Sequence, residues 1–139
     1  MICYAVKANN HNQILSLLSK SGCGADVVSK GELQKSIKNG IMPDKIVFSG
    51  VGKTTDEIKY ALKKKIKQLN VESEEELEEI AEIAKEEKKN VNICIRVNPD
   101  VDPKTHYKIS TGRSEDKFGV PNSRAVSYTH LRAHETLPY

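Results

Sequence analysis

The first ten residues, Met1-Ile2-Cys3-Tyr4-Ala5-Val6-Lys7-Ala8-Asn9-Asn10, decide how the rest of the chain is read. Their side chains alternate. Ile2, Tyr4 and Val6 fall on one side of an extended strand, and Cys3, Ala5 and Lys7 on the other. The second side carries two small residues and then a lysine at the strand's carboxyl end, with Asn9 and Asn10 opening the turn behind it. A long amine rising past small neighbours suits a covalent anchor for an aldehyde cofactor. Partial desolvation would favour the neutral amine that imine formation requires. On the pattern alone, a strand ending in a solvated lysine is the commoner arrangement.

Working outward, four further strand candidates begin near Ala25, Ile46, Gln68 and Val91, at a spacing of about 22 residues. An amphipathic segment fills each interval. Ile14, Leu17 and Leu18 form one stripe before Gly22; Leu33 and Ile37 form the next before Gly40. Ile58, Ala61 and Leu62 form the third, and Leu77, Ile80, Ala81 and Ala84 the fourth. These i, i+3, i+4 patterns predict helices packed on a parallel sheet with right-handed crossovers. Ser29 with Glu32, Thr54 with Glu57, and Ser73 with Glu76 have capping-box spacing. Each marks a strand's carboxyl end turning into a helix, the face that carries the site in barrels. Lys7, Asp26, Ser49, Glu72 and Arg96 are therefore predicted around one rim. The last strand, Val91 to Val97, is the longest apolar one. It sets Asn92, Cys94 and Arg96 on the face opposite Ile93, Ile95 and Val97.

Composition bounds the reading. The chain has 139 residues, whereas a closed eight-stranded barrel needs roughly 200 or more, so an incomplete barrel from a larger protein is expected. Charge is nearly balanced, 22 basic against 19 acidic residues, which gives no reason to expect nucleic acid or an anionic membrane as partner. No apolar run approaches a membrane span, and the amino terminus lacks the regions of a signal peptide. Cys3, Cys23 and Cys94 are an odd set without metal-ligand spacing, read as small buried residues in a reducing cytoplasm. No metal is expected.

The order of the residue strings carries more. Tyr4-Ala5-Val6-Lys7-Ala8-Asn9 resembles the pyridoxal-phosphate (PLP) lysine motif of the fold-type III amino-acid decarboxylases. The stretches from Gly24 to Leu33, Lys45 to Thr54 and Asn70 to Leu77 resemble that family's second, third and fourth strands with their turns. Arg96 to Asp102, Thr105-His106, Ile109 to Gly112 and Lys117 to Gly119 resemble the fifth strand and its long loop. That last run is most like the family's diaminopimelate branch. The resemblance covers residues 1–120 in family order. It implies an α/β fold, a partial alanine-racemase-like (β/α)8 TIM barrel of roughly five β-α units. It implies PLP as cofactor, a small-molecule amino acid as substrate, and decarboxylation of meso-2,6-diaminopimelate to L-lysine and CO2 by a cytoplasmic homodimer.

By the same resemblance Lys7 is the Schiff-base residue, and Asp26 and Arg96 belong to the cofactor pocket. Glu32, His106, Ser110 and Lys117 belong to the active-site rim. Plainer alternatives stand beside these: a turn carboxylate for Asp26, the capping partner of Ser29 for Glu32, a structural ion pair for Arg96. An ornithine, arginine or carboxynorspermidine decarboxylase remains an alternative. A non-catalytic PLP-homeostasis barrel would lack the Asn98 to Gly119 loop. An alanine racemase would continue the lysine motif differently from Asn9-Asn10-His11-Asn12.

Two motifs mislead. Ser49 to Thr54 imitates a P-loop, but Val47 stands where the Walker pattern needs glycine. Lys63 to Lys67 ends one helix and Glu74 to Glu79 opens the next, which complements helix dipoles better than it makes a nucleic-acid patch. Residues 121–139 break the pattern, with two of the four histidines, His130 and His134, and no lysine. They are read as a non-homologous tail from a linker or read-through, and lack a third ligand for a metal. The family's glycine-rich phosphate segment, stacking histidine and carboxyl-terminal β-domain are not found in these residues. The chain alone is accordingly expected to be neither stably folded nor active.

Overall fold

The computed structural model describes residues 1–98 and 119–121. Strand and helix alternate along the chain: β1 (Cys3–Ala5), α1 (Asn12–Lys20), β2 (Gly24–Val27), α2 (Lys30–Lys38), β3 (Ile46–Phe48), α3 (Thr55–Lys64), β4 (Gln68–Val71), α4 (Glu74–Glu86) and β5 (Ile93–Ile95). The five strands form one sheet in the order β1-β2-β3-β4-β5, every pair parallel. This is the predicted arrangement, with five strands and four intervening helices among the described residues. Two further short strands, β6 (Val97–Asn98) and β7 (Val120–Pro121), pair with each other in parallel.

The two faces of the sheet differ in chemistry. Ala25, Val27, Ile46, Phe48, Leu69 and Val71 are buried on the face that the helices cover. There they join Leu15, Leu33, Ile58, Ala61, Leu77 and Ile80 in a largely aliphatic core around the fully buried ring of Phe48, with Tyr4 and Tyr60 packed against it. The other face carries Asp26, Val47, Gln68 and Asn70, all only partly buried. A strand whose side chains alternate between such faces reads as alternating polar and apolar, as Gln68 to Glu72 does.

Packing corrects several expectations. In α1 the buried residue is Leu15, while Leu17 is 65 % exposed. Four apolar positions span too wide an arc for one contact face, and the sheet selects the arc centred on Leu15. In α4, Ile83 is buried and Ala81 only partly so, for the same reason. Ile2 does not join Val6 in the core; it precedes β1 and is exposed. The Val91–Val97 strand is shorter than predicted. Only Ile93–Ile95 pairs with β4, and Val97 turns away to pair with Val120. The cysteines are free thiols, but Cys3 and Cys23 are only partly buried and Cys94 is exposed, on the inner face of an edge strand.

Of the three capping boxes, only Thr54–Glu57 closes reciprocally. Ser29 and Ser73 accept the N–H of Glu32 and Glu76 as expected. The two carboxylates instead reach one residue further back, to the N–H of Val28 at 2.9 Å and of Glu72 at 2.7 Å. Their helix starts are still satisfied, through the residue before the cap. No helix of the described residues is long and apolar enough to cross a membrane. His106, Ser110, Lys117, His130 and His134 lie outside the described residues.

Candidate active site

β1 ends in a short 3-10 turn, Val6–Ala8, that carries Lys7. Val6 is fully buried and fixes the turn to the core. The Tyr4 hydroxyl donates to the carbonyl of Asn9 at 3.2 Å, and the Asn9 side chain accepts the N–H of His11 at 3.0 Å. Both ends of the segment around Lys7 are thus tied down while its own side chain stays exposed. The expected desolvation is missing because the turn lifts the lysine off the sheet. Among the described residues Lys7 has no hydrogen bond or ion pair.

The neighbouring strands place a polar row beside this turn. Ala5 is in register with Asp26, Asp26 with Val47 and Val47 with Gln68. The Ser49 hydroxyl donates to Asp26 Oδ1 at 2.6 Å, and Asn70 Nδ2 donates to Ser49 Oγ at 2.8 Å. Gln68 Nε2 completes the row by donating to Asn70 Oδ1 at 2.9 Å. The row orients each member, because a hydroxyl that donates to a carboxylate must accept from its other neighbour. Asp26 keeps its second oxygen without a partner among the described residues.

Further along the same rim, Glu72 closes the end of β4. Its carboxylate is buried and accepts the N–H of Gly50 at 2.9 Å and Arg96 Nη1 at 3.2 Å. Arg96 follows β5, and its side chain is 43 % exposed where the guanidinium meets the Glu72 carboxylate. The rim predicted from the sequence therefore brings together Asp26, Ser49, Glu72 and Arg96, with Lys7 at the end of the adjoining strand. Glu32 sits at the start of α2, its carboxylate committed to the N–H of Val28.

Sequence reasoning missed Gln68 and Asn70 as members of the row, although the polar alternation Gln68, Asn70, Glu72 was there to be read. It also set aside Lys53 with the false P-loop. That ammonium is buried, donating to Glu76 Oε1 at 2.6 Å and to the carbonyls of Asn70 and Gly50 at 2.7 and 2.8 Å. A lysine so engaged has no donor left for a phosphate. The shallow hollow lined by Lys65, Gln68, Lys89 and Asn92 lies at the amino ends of β4 and β5; it meets the row only at Gln68 and is not lined by Lys7, Asp26, Ser49, Glu72 or Arg96.

A parallel sheet with an unpaired amine and a polar row at its carboxyl ends defines a class. Residues 1–137 match the family described as pyridoxal-dependent decarboxylase, pyridoxal binding domain, and the chain belongs to that family. The five strands are part of its α/β barrel. Among its relatives, the diaminopimelate decarboxylase of Zymomonas mobilis is 47 % identical over 138 residues, covering 99 % of this chain and 33 % of that protein. The diaminopimelate decarboxylase of Helicobacter pylori is 55 % identical over 126 residues, covering 91 % and 31 %. A crystal structure of the Helicobacter pylori enzyme complexed with L-lysine matches with a TM-score of 0.94 at 49 % identity, over 98 % of this chain and 34 % of that one. The chain spans about a third of the length of these relatives. The residues present suit the family's PLP cofactor: an unpaired primary amine at Lys7 for its aldehyde, and a partly exposed guanidinium at Arg96 for an anionic group.

Proposed function

We propose that this chain is the cofactor-anchoring segment of a PLP-dependent enzyme that decarboxylates meso-2,6-diaminopimelate to L-lysine and CO2, the last step of lysine biosynthesis. The carrying observation is the unpaired amine of Lys7 at the strand end beside Asp26 and its Ser49–Asn70 row. It stands in a chain about half identical to diaminopimelate decarboxylases. The L-lysine bound to the Helicobacter pylori relative is the product this reaction would give.

When bound, PLP supplies an aldehyde carbon for amines to join and a ring that draws off the electron pair left as the carboxylate departs. Lys7 Nζ is the covalent anchor. Its exposed side chain at the rim would also take up and return a proton for the substrate. Asp26, oriented by the Ser49 hydroxyl, keeps its second oxygen for the pocket on the strand next to the one that carries Lys7. Arg96, partly exposed and held by Glu72, would bind an anionic oxygen through its planar guanidinium. Resemblance to the family supports Glu32, His106, Ser110 and Lys117 as residues of the active-site rim. The working enzyme is a cytoplasmic homodimer.

Borohydride reduction of the complete enzyme carrying this segment, in the presence of PLP, tests the anchor. Peptide mapping is expected to find the pyridoxyl label on Lys7, and Lys7→Ala to remove both the label and CO2 release from meso-diaminopimelate. A label on another lysine, or preferential release of CO2 from ornithine or arginine, overturns the reading.

A further inference from the structure

Lys53 and Glu76 have no place in the chemistry above, yet they form the most deeply buried ion pair of the described residues, with side chains 1 % and 9 % exposed. Burying two charges is costly unless each is fully hydrogen-bonded. Here each is, and the partners are informative. The Lys53 ammonium spends its three protons on Glu76 Oε1, the Asn70 carbonyl and the Gly50 carbonyl. Glu76 Oε2 takes the N–H of Glu72. The Glu72 side chain, 2 % exposed, takes the N–H of Gly50 and Arg96 Nη1.

The pair therefore lies beneath the rim and touches the backbone on which its side chains are mounted. Gly50, next to Ser49, is gripped at its carbonyl by Lys53 and at its N–H by Glu72. Asn70 is gripped at its carbonyl by Lys53 while its amide orders Ser49 and, through it, Asp26. Arg96 is fixed through its N–H to the Val71 carbonyl and through its carbonyl to the N–H of Val120. Its guanidinium then meets Glu72. Gly119 passes so close that an added Cβ would lie 2.9 Å from the Arg96 carbonyl. Apart from the Phe48 ring beneath Lys53 and the Ser73 cap on Glu76, the connections of the buried pair lead to backbone that carries the rim.

We propose that Lys53 and Glu76 are positioning residues for the cofactor pocket, setting Arg96 through Glu72 and the Asp26 row through Asn70 and Gly50. This rests on the functional reading above, since it assigns Arg96 an anionic group of the cofactor to hold. The pair itself touches neither cofactor nor substrate. Its effect is carried by where the guanidinium stands.

The test compares wild type, the double variant Lys53→Met/Glu76→Gln, and Glu72→Gln in the complete enzyme carrying this segment. The double variant removes both charges, keeps the volume, and leaves a carbonyl for the Glu72 N–H, a replacement that folded proteins commonly tolerate. Two readouts are taken: PLP affinity by absorbance titration, and the Arg96 guanidinium resonance in nitrogen-15 NMR without cofactor. The double variant is expected to unfold cooperatively near the wild-type temperature. It should weaken PLP binding about tenfold, the scale of one lost charge-assisted hydrogen bond, and broaden the Arg96 resonance. A folded double variant with wild-type affinity and an unchanged Arg96 resonance overturns the proposal. If that variant does not fold, Glu72→Gln decides: it must lose the Arg96 resonance and the same affinity, and wild-type behaviour overturns the proposal equally. A wild type that binds no PLP sinks the functional reading instead, and the Arg96 resonance still judges the positioning.

Discussion

Gly24 shows how closely single residues are specified. An added Cβ would stand 2.1 Å from the Lys45 carbonyl oxygen and 3.1 Å from Cys3 Sγ, and backbone cannot step aside as a side-chain tip can. Gly24→Ala is expected to cost about 2 kcal/mol or more, read as a fall in the urea midpoint at constant slope. A wild-type midpoint would show that β2 and β3 separate freely at this point. Cys3, packed over the same glycine, has its thiol pushed up by burial first and by Asp26 second, so it is a poor nucleophile at neutral pH. The positions proposed for the chemistry were legible at this scale where a short string holds them: Lys7 behind Tyr4-Ala5-Val6, Asp26 near the end of β2, Arg96 just after β5. Lys53 was not. Its partners Asn70 and Glu76 are brought to it by folding, and nothing local distinguishes a buried lysine from a solvated one.

Among the elements, α3 has the most complete amino-terminal cap. Thr54 and Glu57 satisfy each other's N–H groups, and Glu57 also accepts the N–H of Lys30 at 2.9 Å. Partial burial is the largest single influence on the Glu57 carboxyl and pushes it up. The N–H groups of Lys30 and Thr54 and the Thr54 hydroxyl together outweigh it and hold the carboxyl below its ordinary 4.5. A folded-state value below the unfolded one means that the charged cap stabilises the fold above the unfolded value. That contribution is lost as pH falls through the folded value. Glu57→Gln should lower stability at neutral pH and flatten the decline below about pH 4.5, seen as thermal midpoints that converge with wild type in acid. Parallel curves across that range would refute the assignment. Helix identities were readable because apolar stripes and caps are local; α3 buries Ile58, Ala61 and Leu62 as predicted. Which residue leads the stripe was not readable in α1, since Leu15 and Leu17 are equal until a sheet is laid beneath them.

For the whole molecule, the order and direction of five strands followed from the repeat of strand and helix, because a parallel neighbour requires a crossover of that length. The pairing of Val97 with Val120 did not follow, as the intervening residues carry no periodicity to announce it. The described sheet has two open edges, β1 and β5, each paired on one side. Its inner face leaves Val28 and Cys94 exposed. Unpaired edges and apolar surface recruit further strands, so the isolated chain is expected to self-associate with rising concentration in sedimentation velocity. A single monomeric species with a cooperative thermal transition would contradict this. The strand order has one more consequence. Cys3 pairs with Gly24, Ala25 with Ile46, Val47 with Gln68 and Leu69 with Ile93, so each strand's partner is the next to be synthesised. Contact order stays low for a parallel sheet, and each new unit can dock on the last as it leaves the ribosome. Assembly of these five units then proceeds vectorially, from the lysine-bearing strand toward β5.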